Sequence, residues 1–301
     1  MDVHLACATL HVPLVTTRQA LRESVAAARQ LGHRIGLVPT MGALHAGHLS
    51  LVERCRCECG YVVVSIFVNP TQFGPNEDFA RYPRDLEGDM AKLASAGVDL
   101  VYAPPVEEMY PPGFATFVAP EGPALPWEGA CRPGHFRGVA TVVLKLLMQA
   151  APDTVYFGQK DFQQTVVVRR MMRDLDLDVH MVVCPTVREA DGLALSSRNQ
   201  YLSAEHRQQA LALSRSLRRA EELVAAGQCD ADAIREEMLA ILQSQPDVRV
   251  EYVAIVDPET LQSVQRVAPR AVALVAAFVG GTRLIDNTLL LAADALQPPA
   301  T

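Results

Sequence analysis

Two histidines three residues apart, His45 and His48, stand in the run Pro39-Thr-Met-Gly-Ala-Leu-His-Ala-Gly-His48, between an apolar stretch at 35–38 and a helix-period stretch of Leu49, Val52, Cys55 and Cys59. A strand, a glycine-containing turn and a helix start would place both rings on one face of the helix. A helix N-terminus offers unpaired N–H groups and partial positive charge, so it holds phosphate well. Gly42 and Gly47 let the backbone approach a ligand, and the two imidazoles can donate to phosphoryl oxygens as charge builds during transfer. Alone, a His-x-x-His is more often a turn with two surface histidines, or half of a metal site.

A second group, Gly158-Gln-Lys160-Asp161, again follows an expected strand and opens a helix. Lys160 can act as a point charge on a phosphate and Asp161 can accept from a sugar hydroxyl, although the two could equally form a solvated pair. A third, Leu195-Ser196-Ser197-Arg198-Asn199, lies in a polar loop beginning at Arg188, and its two hydroxyls and guanidinium suit a triphosphate under a closing loop. The amides of Asn69, Gln72 and Gln164 belong to loops expected at the same sheet edge, as suits a small hydroxy acid. No Gly-Lys-Ser/Thr P-loop, no Gly-x-Gly-x-x-Gly fingerprint and no Gly-x-Ser-x-Gly elbow occurs, so the activated group must come from a nucleotide rather than a side-chain nucleophile.

The elements that must position these groups alternate. Helical spacing is expected over 18–31, 85–96 and 139–150, with strands at 35–38, 61–68, 98–103 and 154–157. The β-branched run YVVVSIFV suits a strand buried on both faces. Such alternation predicts an α/β fold: a Rossmann-like, doubly wound parallel sheet with its active loops at the carboxyl ends of the strands. Residues 104–133, rich in proline and glycine, read as a lid or an edge hairpin. Helices at 204–226 (capped by Ser203) and 231–243, with strands at 248–256 and 271–279, predict a smaller C-terminal α/β lobe. The division falls between 1–187 and 188–301, with the cleft between the lobes as ligand site.

Composition narrows the function. Of 301 residues, 50% are hydrophobic and 20% charged, which places the chain among globular proteins. With 34 acidic against 27 basic residues and a formal net charge of −7, a nucleic acid partner is not expected. The longest apolar run, 271–282, is too short to span a bilayer, so no membrane is expected. Asp2 stands where an export signal would carry a cation, and the 7 cysteines show no disulfide spacing, so the expected compartment is the cytoplasm. Cys55, Cys57 and Cys59 read as helix packing rather than a zinc site, and the closing LQPPAT as a frayed tail.

Taken together, PTMGALHAGHLSLV, SIFVNPTQFGPNEDFARYPR, RPGHFRGVATVV, YFGQKDFQQ, READGLALSSRNQYLS and FVGGTRLIDN closely resemble the pantothenate synthetase (pantoate-β-alanine ligase) family, in order and register over 36–287. The nucleotide lobe of that family is similar to class I aminoacyl-tRNA synthetases, with His45-Ala-Gly-His48 in place of the HIGH motif and Ser196-Ser-Arg-Asn199 where the KMSKS loop falls. The resemblance implies a two-step reaction: pantoate and Mg-ATP give pantoyl adenylate and pyrophosphate, then β-alanine attacks the acyl carbon and releases AMP. It implies ATP contacts at Met41, Gly42, Ala43, Leu44, His45, Ala46, Gly47, His48, Gly158, Gln159, Lys160, Asp161, Val187, Leu195, Ser196, Ser197 and Arg198. Of these His48 would be the proton donor, and our physical reading is that both histidines stabilise charge on the departing pyrophosphate. It further implies Gln72, Gln164 and Asn69 at pantoate, Gln72 also at β-alanine, Asp89 at Mg²⁺, and a homodimer. Leu195 stands where the family commonly has Met, outside the catalytic groups. Two other readings are another nucleotidyltransferase of the superfamily, which would turn over nucleotide without an amine, and a non-catalytic ATP sensor, which would not need every phosphate donor.

Overall fold

Val62, Val63 and Val64 send side chains alternately to two covered faces, the behaviour expected of a central strand in a parallel sheet. The computed structural model describes residues 11–75 and 77–292; Asp2, Cys7 and the closing LQPPAT lie outside the described residues. Six strands form the first sheet: β1 (Leu14–Val15), β2 (Ile35–Thr40), β3 (Tyr61–Ile66), β4 (Leu100–Tyr102), β5 (Thr154–Gly158) and β6 (His180–Cys184). They run parallel in the order β1-β4-β3-β2-β5-β6. The chain winds outward from β2 in one direction and resumes at β5 on its other side. The loops after β2 and β5 therefore diverge, leaving the crevice in which such sheets bind ligands.

Helices α1 (Arg18–Gln30), α2 (Ala46–Glu58) and α3 (Leu86–Ser95), the short α4 (Val106–Met109) and α5 (Glu128–Cys131), then α6 (His135–Ala150) and α7 (Phe162–Asp174) complete this lobe. Leu21 and Val25 of α1, Val143 and Leu146 of α6 and Val167 of α7 cover one face of the sheet. Leu51, Val52 and Cys55 of α2 and Leu93 of α3 cover the other. The sheet is doubly wound, as the alternation predicts. Cys55 and Cys59 are buried in that packing while Cys57 is exposed, so the cysteine-rich helix face is core.

The C-terminal lobe holds α8 (Ala204–Ala225), α9 (Ala231–Gln243) and an antiparallel sheet of β7 (Val248–Val256), β8 (Arg270–Val279) and β9 (Thr282–Leu291). Ser203 caps α8 through the His206 N–H, as its position suggests. One sheet face packs on both helices through Ala273, Val275, Ala277, Leu213 and Ile234.

Several expectations need correction. Residues 104–133 contain no strand; they form short helical turns pinned by the Gln163 amide, which donates to the Pro123 and Pro126 carbonyls. Helix α6 begins at His135 rather than 139: the buried Phe136 extends the apolar period of Val139, Ala140 and Val143 back into a first turn otherwise made of His135, Arg137 and Gly138. Strands β1, β6 and β9 are not expected from the sequence pattern; β1 is two residues long, and β9 breaks its apolar pattern with Asp286-Asn287. Among the described residues no helix is long and apolar enough to cross a membrane.

Candidate active site

Residues 41–48 leave β2 through a turn that local sequence and one distant carboxylate hold rigid. Thr40 Oγ1 donates to the Ser65 carbonyl (2.7 Å) and accepts from the Gly42 N–H (3.2 Å). Gly42 and Ala43 both sit in the left-handed region (φ 80° and 50°), which is unstrained only for the glycine. The Asp89 carboxylate, 1% exposed, accepts from the Ala43 and Leu44 N–H groups at 2.8 Å each and offsets that strain.

Helix α2 then starts with a capping box made of the two histidines. His45 Nδ1 accepts from the Gly47 N–H (3.1 Å) and His48 Nδ1 accepts from the His45 N–H (3.3 Å). A side chain at Gly47 would collide with the His45 ring, its Cβ lying 2.9 Å from His45 Cε1. The ring centroids are 4.1 Å apart. Burial pushes His48 down to about 3, helped by the neighbouring His45 and by the positive charge of Lys160. His45 is likewise lowered by burial and then by Lys160. Both rings are therefore neutral near pH 7, and because each Nδ1 is an acceptor the single proton sits on Nε2. The pair presents two fixed N–H donors to the cavity they line.

That cavity has a volume of about 250 Å³ and opens at the carboxyl ends of β2 and β5. Met41, His45, Gly47 and His48 line it from the first loop, with Gly158, Lys160 and Asp161 from the end of β5. Val187, Leu195, Ser196, Ser197 and Arg198 line it from the inter-lobe segment, with Gln72 and Gln164. The predicted groups thus meet in one space. Lys160 Nζ lies 3.7 Å from Asp161 Oδ1 in a partly exposed pair. Arg198 makes two hydrogen bonds to Asp78 (2.9 and 2.8 Å) and Ser197 approaches the Tyr82 hydroxyl (3.4 Å). The inter-lobe segment is thereby drawn against residues 78–82. An apolar wall of Phe67, Phe136, Val139, Val142 and Val143 faces the glutamines.

Some expected residues do not reach the cavity. Gly42, Ala43, Leu44, Ala46 and Gln159 are absent from its lining; they shape the loops around it. Asn69, 1% exposed, is consumed by its neighbours: its amide donates to Gln72 Oε1 (3.0 Å) and its carbonyl oxygen accepts from Tyr110 and Thr71. It supports Gln72 instead of lining the cavity. Both Asp89 oxygens are likewise engaged, by the backbone N–H groups of residues 43 and 44, and Lys92 approaches to 3.4 Å, so this carboxylate holds the loop. No cluster of three or more His, Cys, Asp or Glu side chains able to hold a metal occurs among the described residues.

A buried charged network beside Gln72 has no role legible in the sequence. Arg132 donates to Glu77 (2.6 Å), to Glu128 (3.1 Å) and to the Gln72 carbonyl (3.3 Å), and His135 Nδ1 also meets that carbonyl at 2.9 Å. Arg283 of β9 pairs with Glu128 through two bonds (2.7 and 2.8 Å). Burial pushes the Glu128 carboxyl up, but the Arg283 hydrogen bonds and charge outweigh it and hold the group at about 2. Charged residues inside apolar runs, as in GHFRG and TRLIDN, are the available signal.

A doubly wound sheet with a paired-histidine helix start at its switch point, two further phosphate-type segments and a covering lobe defines an α/β nucleotide-binding protein that acts on a small substrate. The pantoate-beta-alanine ligase family matches residues 13–289. Pantothenate synthetase of Moorella thermoacetica is 56% identical over 277 residues, 92% of this chain and 98% of the relative. That of Acidobacterium capsulatum is 59% identical over 256 residues, 85% and 86% of the two chains. The crystal structure of pantothenate synthetase from Thermus thermophilus superposes with a TM-score of 0.88 at 51% identity, over 92% of this chain and 99% of that one. Pantoate-beta-alanine ligase from Francisella tularensis, complexed with beta-gamma ATP and beta-alanine, superposes with a TM-score of 0.77 at 33% identity, over 96% and 100%. The chain belongs to the pantoate-beta-alanine ligase family. Neither another nucleotidyltransferase nor a silent ATP sensor is favoured beside relatives this similar along nearly the whole chain.

Proposed function

We propose that this cavity joins (R)-pantoate to β-alanine using ATP, through an enclosed pantoyl adenylate. In the first step a pantoate carboxylate oxygen attacks the α-phosphorus, the α–β phosphoanhydride bond breaks, and pyrophosphate departs with the charge. The Nε2–H groups of His45 and His48, the Lys160 ammonium and the Ser196-Ser197-Arg198 run are the donors for that developing charge. In the second step the amine of β-alanine attacks the acyl carbon, the bond to the AMP oxygen breaks, and the amine proton leaves. No side-chain nucleophile is needed, since the adenylate is itself the activated acyl group.

Gln72 and Gln164 are placed for the hydroxy acid, and the valine wall suits its branched carbon. Gln72 also faces β-alanine in this reading. Asp161 serves the ribose, while Val187, Leu195 and Gly158 flank the base. Mg²⁺ enters as Mg-ATP, on phosphate oxygens and water, because the cavity carboxylates Glu128 and Asp286 are committed to arginines and Asp161 lies beside the Lys160 ammonium. We take residues 1–187 as the nucleotide- and pantoate-binding domain and 188–301 as the covering lid domain. Cytoplasmic placement and a homodimer complete the reading, the latter to be checked by light scattering.

One observation carries this reading: donors from three separate segments converge on one cavity beside the amides of Gln72 and Gln164 and an apolar wall. The test is AMP and pyrophosphate release from Mg-ATP, D-pantoate and β-alanine with each omitted in turn. AMP release that requires both substrates, with pantothenate in equal amount, is expected. ATP binding without turnover would overturn the reading.

A further inference from the structure

The centre of β9 carries two polar residues that the reaction above does not use, Asp286 and Asn287, 4% and 2% exposed. Buried polar groups inside an apolar strand are costly unless every one is paired, so their partners carry the meaning. Alternation along the strand sends the two side chains to opposite faces. Each takes hold of a different segment at the phosphate end of the cavity.

Asn287 Nδ2 spends both protons on the turn between β5 and α7, donating to the Lys160 carbonyl at 2.8 Å and to the Gln159 carbonyl at 3.0 Å. Its Oδ1 faces Gln159 Nε2 at 3.5 Å. Asp286 grips the Arg188 guanidinium at two points (2.6 and 3.0 Å) and accepts from the Asn287 N–H (2.8 Å). Arg188 reaches on to the Gly192 carbonyl (3.2 Å), and the backbone there folds back on itself through an Arg188–Ala194 bridge and the Leu195 N–H to Val187 carbonyl bond (3.0 Å). Ser196, Ser197 and Arg198 follow directly.

We propose that Asp286 and Asn287 are positioning residues for adenylate formation: Asn287 fixes the backbone from which Lys160 reaches the phosphates, and Asp286, through Arg188, fixes the base of the Ser196–Arg198 loop. One strand of the C-terminal lobe thus holds two phosphate-binding segments, 127 residues apart from it in one case and 98 in the other, in mutual register. This rests on Lys160 and Ser196–Arg198 meeting ATP phosphates, as proposed above. Displacing a donor by about 1 Å costs on the order of 10²-fold in rate, so the clamp acts on the step that uses those donors. β-Alanine attack occurs after pyrophosphate has gone and is insensitive to it.

The test separates the two steps: pantoate-dependent exchange of labelled pyrophosphate into ATP for the first, aminolysis of supplied pantoyl adenylate for the second. Asn287→Asp keeps the shape but sets an acceptor against two carbonyls. Exchange is expected to fall ~10- to 100-fold with a raised KM for ATP, while aminolysis stays within about threefold. Asn287→Gln, which retains the donors, recovers part of the loss. If Asn287→Asp does not fold, Asp286→Asn gives the same reading, with ATP KM raised and aminolysis unchanged. Exchange within about threefold of the parent, or both steps slowed by one factor, overturns the proposal. Lys160→Ala run alongside separates the failures. Exchange surviving there removes the phosphate reading and the clamp with it, whereas exchange lost there but kept in Asn287→Asp removes the clamp alone.

Discussion

The two histidines and the Ser196–Arg198 run face the same cavity, yet they are held in opposite ways. His45 and His48 cap their own helix within 3 residues of each other, and the one distant support is Asp89. Arg198 is held by Asp78, 120 residues away, and Lys160 sits on a turn held by Asn287 from the other lobe. The first set of donors is rigid wherever the lobes stand. The second is held in place by contacts that cross between the lobes.

The strongest way to break the rigid half is His48→Ala. It removes one donor and one arm of the capping box, and turnover is expected to fall ~10²- to 10³-fold, the scale of a single transition-state donor. Steady-state kinetics beside a thermal melt checks it; near-normal turnover would remove His48 from the chemistry.

Acid probes both halves at once. His48 and His135 are held neutral by burial, at about 3 and about 4 against an ordinary value of 6.5. The unfolded chain therefore binds more protons than the folded one below pH 6.5, and stability falls as pH drops from there toward those values. Glu128, held at about 2 against 4.5, adds its own loss between those two values, in the same direction. Calorimetry near pH 5 should show uptake of about two protons on unfolding from His48 and His135. A melting temperature flat between pH 7 and 5 would contradict the buried neutral state.

The docked half gives the smallest effect. Asp78→Asn weakens the hold on Arg198 without emptying the site, because the freed guanidinium can still donate to phosphate. A rise of roughly threefold to tenfold in KM for ATP with little change in kcat is expected from such a partly exposed pair. A large fall in kcat would mean that Asp78 does more than hold Arg198.

The same contrast explains what can be read in the sequence. His45, His48 and Gly47 are legible because capping is local: residue type and spacing over four positions fix the geometry. The β-branched runs of β3 and β5 mark the sheet for the same reason. The hold of Asp89 on the first loop is not legible, since nothing in its helix shows that its carboxylate reaches backbone 45 residues away. Nor is it legible that the Asn69 amide donates to Gln72 and its carbonyl oxygen accepts from Tyr110. Arg132, His135, Arg283 and Asn287 stand in family motifs, but apart from the i,i+4 contact of Arg132 with Glu128 their partners lie on other elements and no periodicity connects them. Strand β9 is hidden by the very polar pair that clamps the phosphate segments.

The central claim is that both histidines act as neutral donors fixed by their own helix start. Nitrogen-15 NMR of the imidazoles, with His45 and His48 assigned by substitution, tests it most directly. The account predicts at neutral pH an unprotonated Nδ1 and a protonated Nε2 in both rings, with the His48 pattern unchanged down to about pH 5. An imidazolium at either position at neutral pH, or a proton on Nδ1, would contradict it, and an imidazolium at His48 would return that residue to the role of proton donor.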